Sequence, residues 1–253
     1  MDHPILSGEY WGNGTKQDLT LDSAGNSKSS PLPQLLEELK QVVIDVNKEW
    51  ARKLGIKQAA ATTCTKPSGT VSQLVDSASG IHPRHNPYYI RTVRCDKKDP
   101  IYHFLKDQGV PCEDALGKEV TTAIFSFPMK APENSIFRED RTAIEQLELW
   151  KIYATYWCEH KPSITVYVKE DEWLKVAAWV YENFDLVSGV SFLPYDGGSY
   201  KQAPYQDITK EEYEVLLENF PSKIDWNKLK EYEMEDFTES GQTLACVGGV
   251  CEL

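Results

Sequence analysis

The apolar positions of the chain recur with two periods, and the two alternate along the sequence. Leu35, Leu36, Leu39, Val42, Val43, Val46 and Trp50 follow at three- and four-residue steps with Lys and Glu between them, predicting an amphipathic helix. Gly55 stands where such a helix should stop. Ala59 to Thr65 is short, small and β-branched, which predicts a buried strand running into a turn that opens a second helix. Tyr88 to Arg94 alternates as a strand does, Pro100 to Gln108 predicts a helix, and Thr121 to Phe127 a strand. Arg141 to Glu159 predicts a long helix carrying Ile144, Leu147, Trp150, Ala154 and Trp157. Ser163 to Val168 follows as a strand, Asp171 to Phe184 as a helix, Gly189 to Leu193 as a short strand, and Thr209 to Asn219 as a helix capped by Thr209. Strands alternating with helices imply an α/β fold with a largely parallel sheet or barrel.

The two ends break this pattern. Residues 1–32 are rich in Gly, Ser, Asn and Asp, and Asp22 to Pro33 predicts a loop or linker. From Glu231 to Leu253 the chain turns acidic and then Gly-, Thr- and Ser-rich, so a flexible tail is expected.

Composition narrows the function classes. The 253 residues are 41% hydrophobic and 26% charged, enough for one or two ordinary globular domains. With 27 Lys and Arg against 39 Asp and Glu the net charge is −12, which argues against a general nucleic-acid coat. A nucleotide pocket built from backbone N–H groups remains open. No apolar run is long enough to span a bilayer, and MDHPILSGEYWGNG lacks the basic start and apolar stretch of a signal peptide. A cytoplasmic protein without nucleic-acid or membrane partners is expected.

Three segments carry candidate chemistry. Lys66-Pro67-Ser68-Gly69-Thr70-Val71-Ser72 lies between a predicted strand and a predicted helix. Pro67 fixes its own φ, Gly69 lets backbone approach a ligand, and the hydroxyls and helix N–H groups suit an anion. The same residues equally suit a plain strand–turn–helix with a Ser or Thr cap; the Walker spacing is absent. Ser79-Gly80-Ile81-His82-Pro83-Arg84-His85-Asn86-Pro87-Tyr88-Tyr89 is a stiff cationic loop. It fits either part of a pocket or a rigid connection whose His side chains bond backbone carbonyls, and it offers no matching metal ligands. Cys246 and Cys251 close the chain as C-V-G-G-V-C. A zinc site would need further ligands and a disulfide would staple only a tiny loop, which leaves a dithiol cycling between thiol and disulfide. Cys64, Cys95, Cys112 and Cys158 fit buried small hydrophobes better than nucleophiles.

Taken together, these segments resemble a known family. Thr62 to Arg94, Phe125 to Pro132, Ala143 to Trp173, Ser188 to Gln206 and Thr243 to Leu253 closely resemble the C-terminal region of class II, adenosylcobalamin-dependent ribonucleotide reductases. The resemblance runs from about Leu35 to the end. It implies the C-terminal part of a ten-stranded α/β barrel over residues 33–235, behind an irregular leading segment 1–32 and ahead of a flexible redox tail 236–253. It implies reduction of ribonucleotides to 2′-deoxyribonucleotides with adenosylcobalamin, and closeness to the longer bacterial enzymes leans towards diphosphates. Ser68, Gly69, Thr70 and Val71 match the family's substrate-phosphate loop. Cys246 and Cys251 match its tail dithiol, which is reduced by thioredoxin or a similar donor. The family's Asn-Cys-Glu radical cluster has no counterpart here: Glu159 follows Cys158, but Trp157 precedes it. The resemblance therefore implies an N-terminal reductase portion as partner and no reductase activity for the chain alone. The rivals are a non-catalytic remnant that binds nucleotide or associates with a reductase, and a thiol–disulfide carrier using the tail pair alone.

Overall fold

The computed structural model describes residues 3, 5–8, 32–69, 71–133, 135–195 and 201–233. Its helices are α1 (Leu32–Leu54), α2 (Val71–Leu74), α3 (Pro100–Asp107), α4 (Ala143–Tyr156), α5 (Trp173–Glu182), α6 (Lys210–Glu218) and α7 (Leu229–Tyr232). The strands are β1 (Tyr88–Asp96), β2 (Cys112–Asp114), β3 (Thr122–Lys130), β4 (Ile164–Val168), β5 (Val190–Pro194) and β6 (Tyr205–Asp207). The chain divides into two compact units, one of residues 1–84 and 132–196, the other of residues 85–131 and 197–253.

The first unit is a helical layer on a parallel strand pair. β4 and β5 run in parallel, with Ile164 opposite Val190 and Val168 opposite Pro194. β4 alternates strictly, burying Ile164, Val166 and Val168. Leu147, Leu149, Trp150 and Ile152 of α4 are fully enclosed with them, joined by Leu32 and Leu36 of α1 and by Val176 and Trp179 of α5. Thr142 caps α4 through a reciprocal pair with Glu145: its hydroxyl accepts from the Glu145 N–H at 3.2 Å, and its own N–H donates to Glu145 Oε2 at 2.8 Å. Glu172 is buried and joins two elements, its carboxylate accepting from the N–H groups of Ala143 and Lys169, each at 2.9 Å.

The second unit holds a four-stranded antiparallel sheet in the order β2-β3-β1-β6. β1 is its centre, pairing β3 from Tyr88↔Lys130 to Asp96↔Thr122 and pairing β6 around Ile90↔Gln206. The core beneath is aromatic: Tyr102 and Phe104 of α3 and Phe125 of β3, with Phe220 and Tyr232 packed against them.

The α/β class expected from the sequence is present, and the long elements fall where the periods place them. Two expectations are corrected. The larger sheet is antiparallel, so the parallel arrangement holds only for β4 and β5. Ala59–Thr65 forms no strand, and Ala59 to Ala61 are exposed. Strand residues need a neighbouring strand to bond with, and the partner here is a side chain. Glu159 Oε2 accepts from the N–H of Thr62 at 2.7 Å and from its hydroxyl at 2.9 Å, while the Glu159 N–H donates to Thr63 O at 2.9 Å. The six strands described form two separate sheets.

Candidate phosphate-binding site

Lys66 to Arg84 forms a loop, a single helical turn and a returning loop, and the returning loop holds the first one in place. Ser68 Oγ accepts from the Ser72 N–H at 2.9 Å, and Ser72 Oγ donates to Ser68 O at 3.0 Å, so Ser68 caps the turn that follows it. The Ser68 N–H donates to Ser79 Oγ at 2.7 Å. Just past the end of α2 comes Asp76, whose φ of 47° is left-handed. The Asp76 N–H reaches Gln73 O and the Ser77 N–H reaches Ser72 O, the paired bonds of a helix terminus usually built on glycine. Arg84 holds that aspartate: Nη1 donates to Asp76 Oδ1 at 2.9 Å and Nη2 to Asp76 O at 2.5 Å. Gly80, at φ +58°, lies against Thr65 and Lys66; a Cβ there would sit 3.3 Å from Thr65 Cγ2 and 3.5 Å from Lys66 O.

His82 ties the returning loop to the sheet. Nδ1 lies 2.9 Å from Ser79 O, and Nε2 lies 2.9 Å from the Thr165 N–H in β4. A carbonyl oxygen only accepts and a backbone N–H only donates, so the ring is neutral with its proton on Nδ1. Burial lowers its pKa below 6.5.

These contacts sort the residues expected at the site. Among the described residues, the N–H groups of Gly69 and Val71 have no acceptor, whereas those of Ser68 and Ser72 are engaged internally. Gly69 and Val71 are exposed, and the Lys66 side chain is exposed beside them. Thr70, Cys246 and Cys251 lie outside the described residues. Of the two readings of the Ser79–Tyr89 segment, the rigid connection holds for His82, which bonds Ser79 O and the Thr165 N–H, and for Arg84, which holds Asp76. In the second unit, His85 Nε2 lies 2.5 Å from Asp207 Oδ1, and the His85 ring stacks on Tyr205. Sequence reasoning missed Ser79, Asp76 and Glu159 as the partners that shape this region. Asp76 and Ser79 lie in a D-S-A-S-G run whose turn chemistry was a usable signal; Glu159 gave none.

Among the described residues the cysteines are all free thiols. Cys64 and Cys112 are exposed, contrary to the buried role expected, Cys95 is half-buried and Cys158 is buried. Burial together with Asp99 and Asp96 pushes the Cys95 thiol up to about 11, and burial raises Cys158. Among the described residues no group of three or more His, Cys, Asp or Glu side chains could hold a metal ion, and no helix is long and apolar enough to cross a membrane.

No family model matches the chain. Curated relatives do. An adenosylcobalamin-dependent ribonucleoside-triphosphate reductase of Lactobacillus gasseri is 32% identical over 222 residues, covering 86% of this chain and 30% of the relative. The protein of the same name from Euglena gracilis is 36% identical over 172 residues, covering 67% and 23%. That of Lactobacillus delbrueckii subsp. bulgaricus is 28% identical over 230 residues, covering 87% and 30%. The crystal structure of a B12-dependent, class II ribonucleotide reductase superposes with a TM-score of 0.66 at 24% identity, over 85% of this chain and 31% of that one, a likeness of fold. The chain thus spans about 30% of the length of the Lactobacillus relatives. These relatives are named for triphosphates, so the lean towards a diphosphate substrate is not supported. The chain is a homologue of the adenosylcobalamin-dependent, class II ribonucleotide reductases and corresponds to the C-terminal part of their length.

Proposed function

We propose that this chain is the C-terminal part of a class II-type reductase that converts ribonucleoside triphosphates to 2′-deoxyribonucleoside triphosphates. The observation that carries this reading is an alignment covering 87% of the chain with reductases of that name. In this reading residues 33–235 contribute to a ten-stranded barrel completed by an N-terminal reductase portion, which supplies the radical cysteine.

Each part of the chain then has a task. The loop Ser68, Gly69, Thr70 and Val71 receives the substrate's phosphates. The open N–H groups at Gly69 and Val71 donate to phosphate oxygens, and Lys66 adds positive charge nearby. The returning loop keeps those donors in one conformation, so little ordering remains to be done on binding.

Cys246 and Cys251 carry electrons. A thiolate of the pair attacks the disulfide formed in the barrel at each turnover, giving a mixed disulfide and releasing one barrel thiol. The second tail thiolate displaces the other, leaving the tail oxidised and the barrel dithiol restored. Thioredoxin, or a similar dithiol donor, returns the tail pair to thiols by the same two-step exchange.

Adenosylcobalamin supplies the radical initiation of the assembled enzyme.

Multiple turnover of the reconstituted enzyme with thioredoxin tests the reading. Cys246→Ser and Cys251→Ser should each abolish that turnover while preserving a single turnover of pre-reduced enzyme. Wild-type rates for both variants would remove the relay.

A further inference from the structure

We propose that His82 is a positioning residue for the phosphate loop: its imidazole, fixed between Ser79 O and the Thr165 N–H, sets the conformation in which Ser79 holds Ser68. The inference rests on the loop's reading as the phosphate site and adds a residue that touches no phosphate itself.

The contacts form one chain. β4 is enclosed in the core of the first unit, so the Thr165 N–H is a fixed point. His82 Nε2 accepts from it at 2.9 Å. Through Nδ1 the same ring holds Ser79 O at 2.9 Å, and the His82 backbone N–H reaches that oxygen at 3.0 Å. Ser79 Oγ in turn accepts from the Ser68 N–H at 2.7 Å, and Ser68 caps the turn bearing the open donors. The imidazole links this chain to the sheet by a side chain. Arg84 acts at the far end of α2 through Asp76, so the hold on Ser68 runs through Ser79 and His82.

Side-chain geometry allows the two bonds to be separated. Asn can place an amide N–H near the position of Nδ1 and keep the bond to Ser79 O. Gln can place its amide oxygen near the position of Nε2 and keep the bond from Thr165. Neither keeps both.

The test uses the full chain and two measurements. The first is hydrogen exchange at the Ser68 amide, with amides of β1 as internal reference. His82→Ala, His82→Asn and His82→Gln should each speed Ser68 exchange, about tenfold or more for Ala, and leave β1 unchanged. In the wild type, the His82 ring nitrogens should show by NMR the tautomer protonated on Nδ1. The second is calorimetric titration with inorganic tripolyphosphate, where His82→Ala should weaken binding about tenfold, or 1.4 kcal/mol, with Asn and Gln between. If His82→Ala does not fold, the Asn and Gln variants, closer in volume, decide. Ser68 protection and tripolyphosphate affinity both unchanged in the variants would overturn the proposal. Wild-type chain that binds no tripolyphosphate, but loses Ser68 protection on substitution, would overturn the phosphate reading alone and leave the positioning role standing.

Discussion

His82 carries a proton ledger as well as a structural bond. Burial lowers its pKa in the folded chain below 6.5, so over an interval beneath that value the unfolded chain holds a proton the folded chain lacks. Its contribution to stability is therefore complete above pH 6.5 and declines as the pH falls through that interval. The slope is at most about 1.4 kcal/mol per pH unit. Urea unfolding of wild type and His82→Gln from pH 8 to pH 5, a range set by the ordinary titration of histidine near 6.5, should show the excess slope in wild type alone. Gly189 makes a second prediction at this scale. Its φ is +67°, and a Cβ would lie 2.8 Å from Pro162 O, a backbone atom that cannot step aside. Gly189→Ala should destabilise by about 2–3 kcal/mol, read as a lower urea midpoint. At this scale the sequence was legible for local chemistry only. The capping Thr209 follows from its place before an apolar run, whereas Thr142 falls inside the span expected to be helical. The pairing of His82 with Thr165 spans 83 positions and leaves no local trace.

Among the elements, α4 depends most on a distant residue. Glu172 is 7% exposed and accepts from two N–H groups, one at the first residue of α4 and one at Lys169 before α5. Glu172→Ala would leave both donors without their acceptor and should cost about 2–4 kcal/mol in urea unfolding. Glu172→Gln keeps one acceptor oxygen and should cost less. A loss below about 0.5 kcal/mol for Ala would mean that water satisfies these groups. Periodicity located nearly every long element, because burial on one face writes itself into the sequence. It failed where pairing decides. β2 and β6 are three residues each, too short to alternate visibly, and exist because β3 and β1 offer them edges. Ala59–Thr65 had the composition of a strand but bonds to Glu159 instead. The α1 stripe shows the limit of the helical signal: Leu32 and Leu36 are buried, whereas Leu39, Val42, Val46 and Trp50 remain 42–59% exposed. The period showed which face is apolar, not how much of it the packing against α4 would cover.

For the molecule as a whole, the resemblance read in the motifs agrees with relatives aligned over 87% of the chain. Its lean towards a diphosphate is not supported, since the relatives are named for triphosphates and the sequence carries no local mark of how many phosphates a substrate would bear. The central claim is that this chain and an N-terminal reductase portion make one enzyme. The direct measurement is deoxyribonucleoside triphosphate formation from ribonucleoside triphosphates, with adenosylcobalamin and dithiothreitol, by each part alone and by the two mixed. The account predicts no product from this chain alone, because no Asn-Cys-Glu cluster is present to carry the radical, and sustained product from the mixture. Product from this chain alone, or none from a mixture in which both parts are folded, would contradict it.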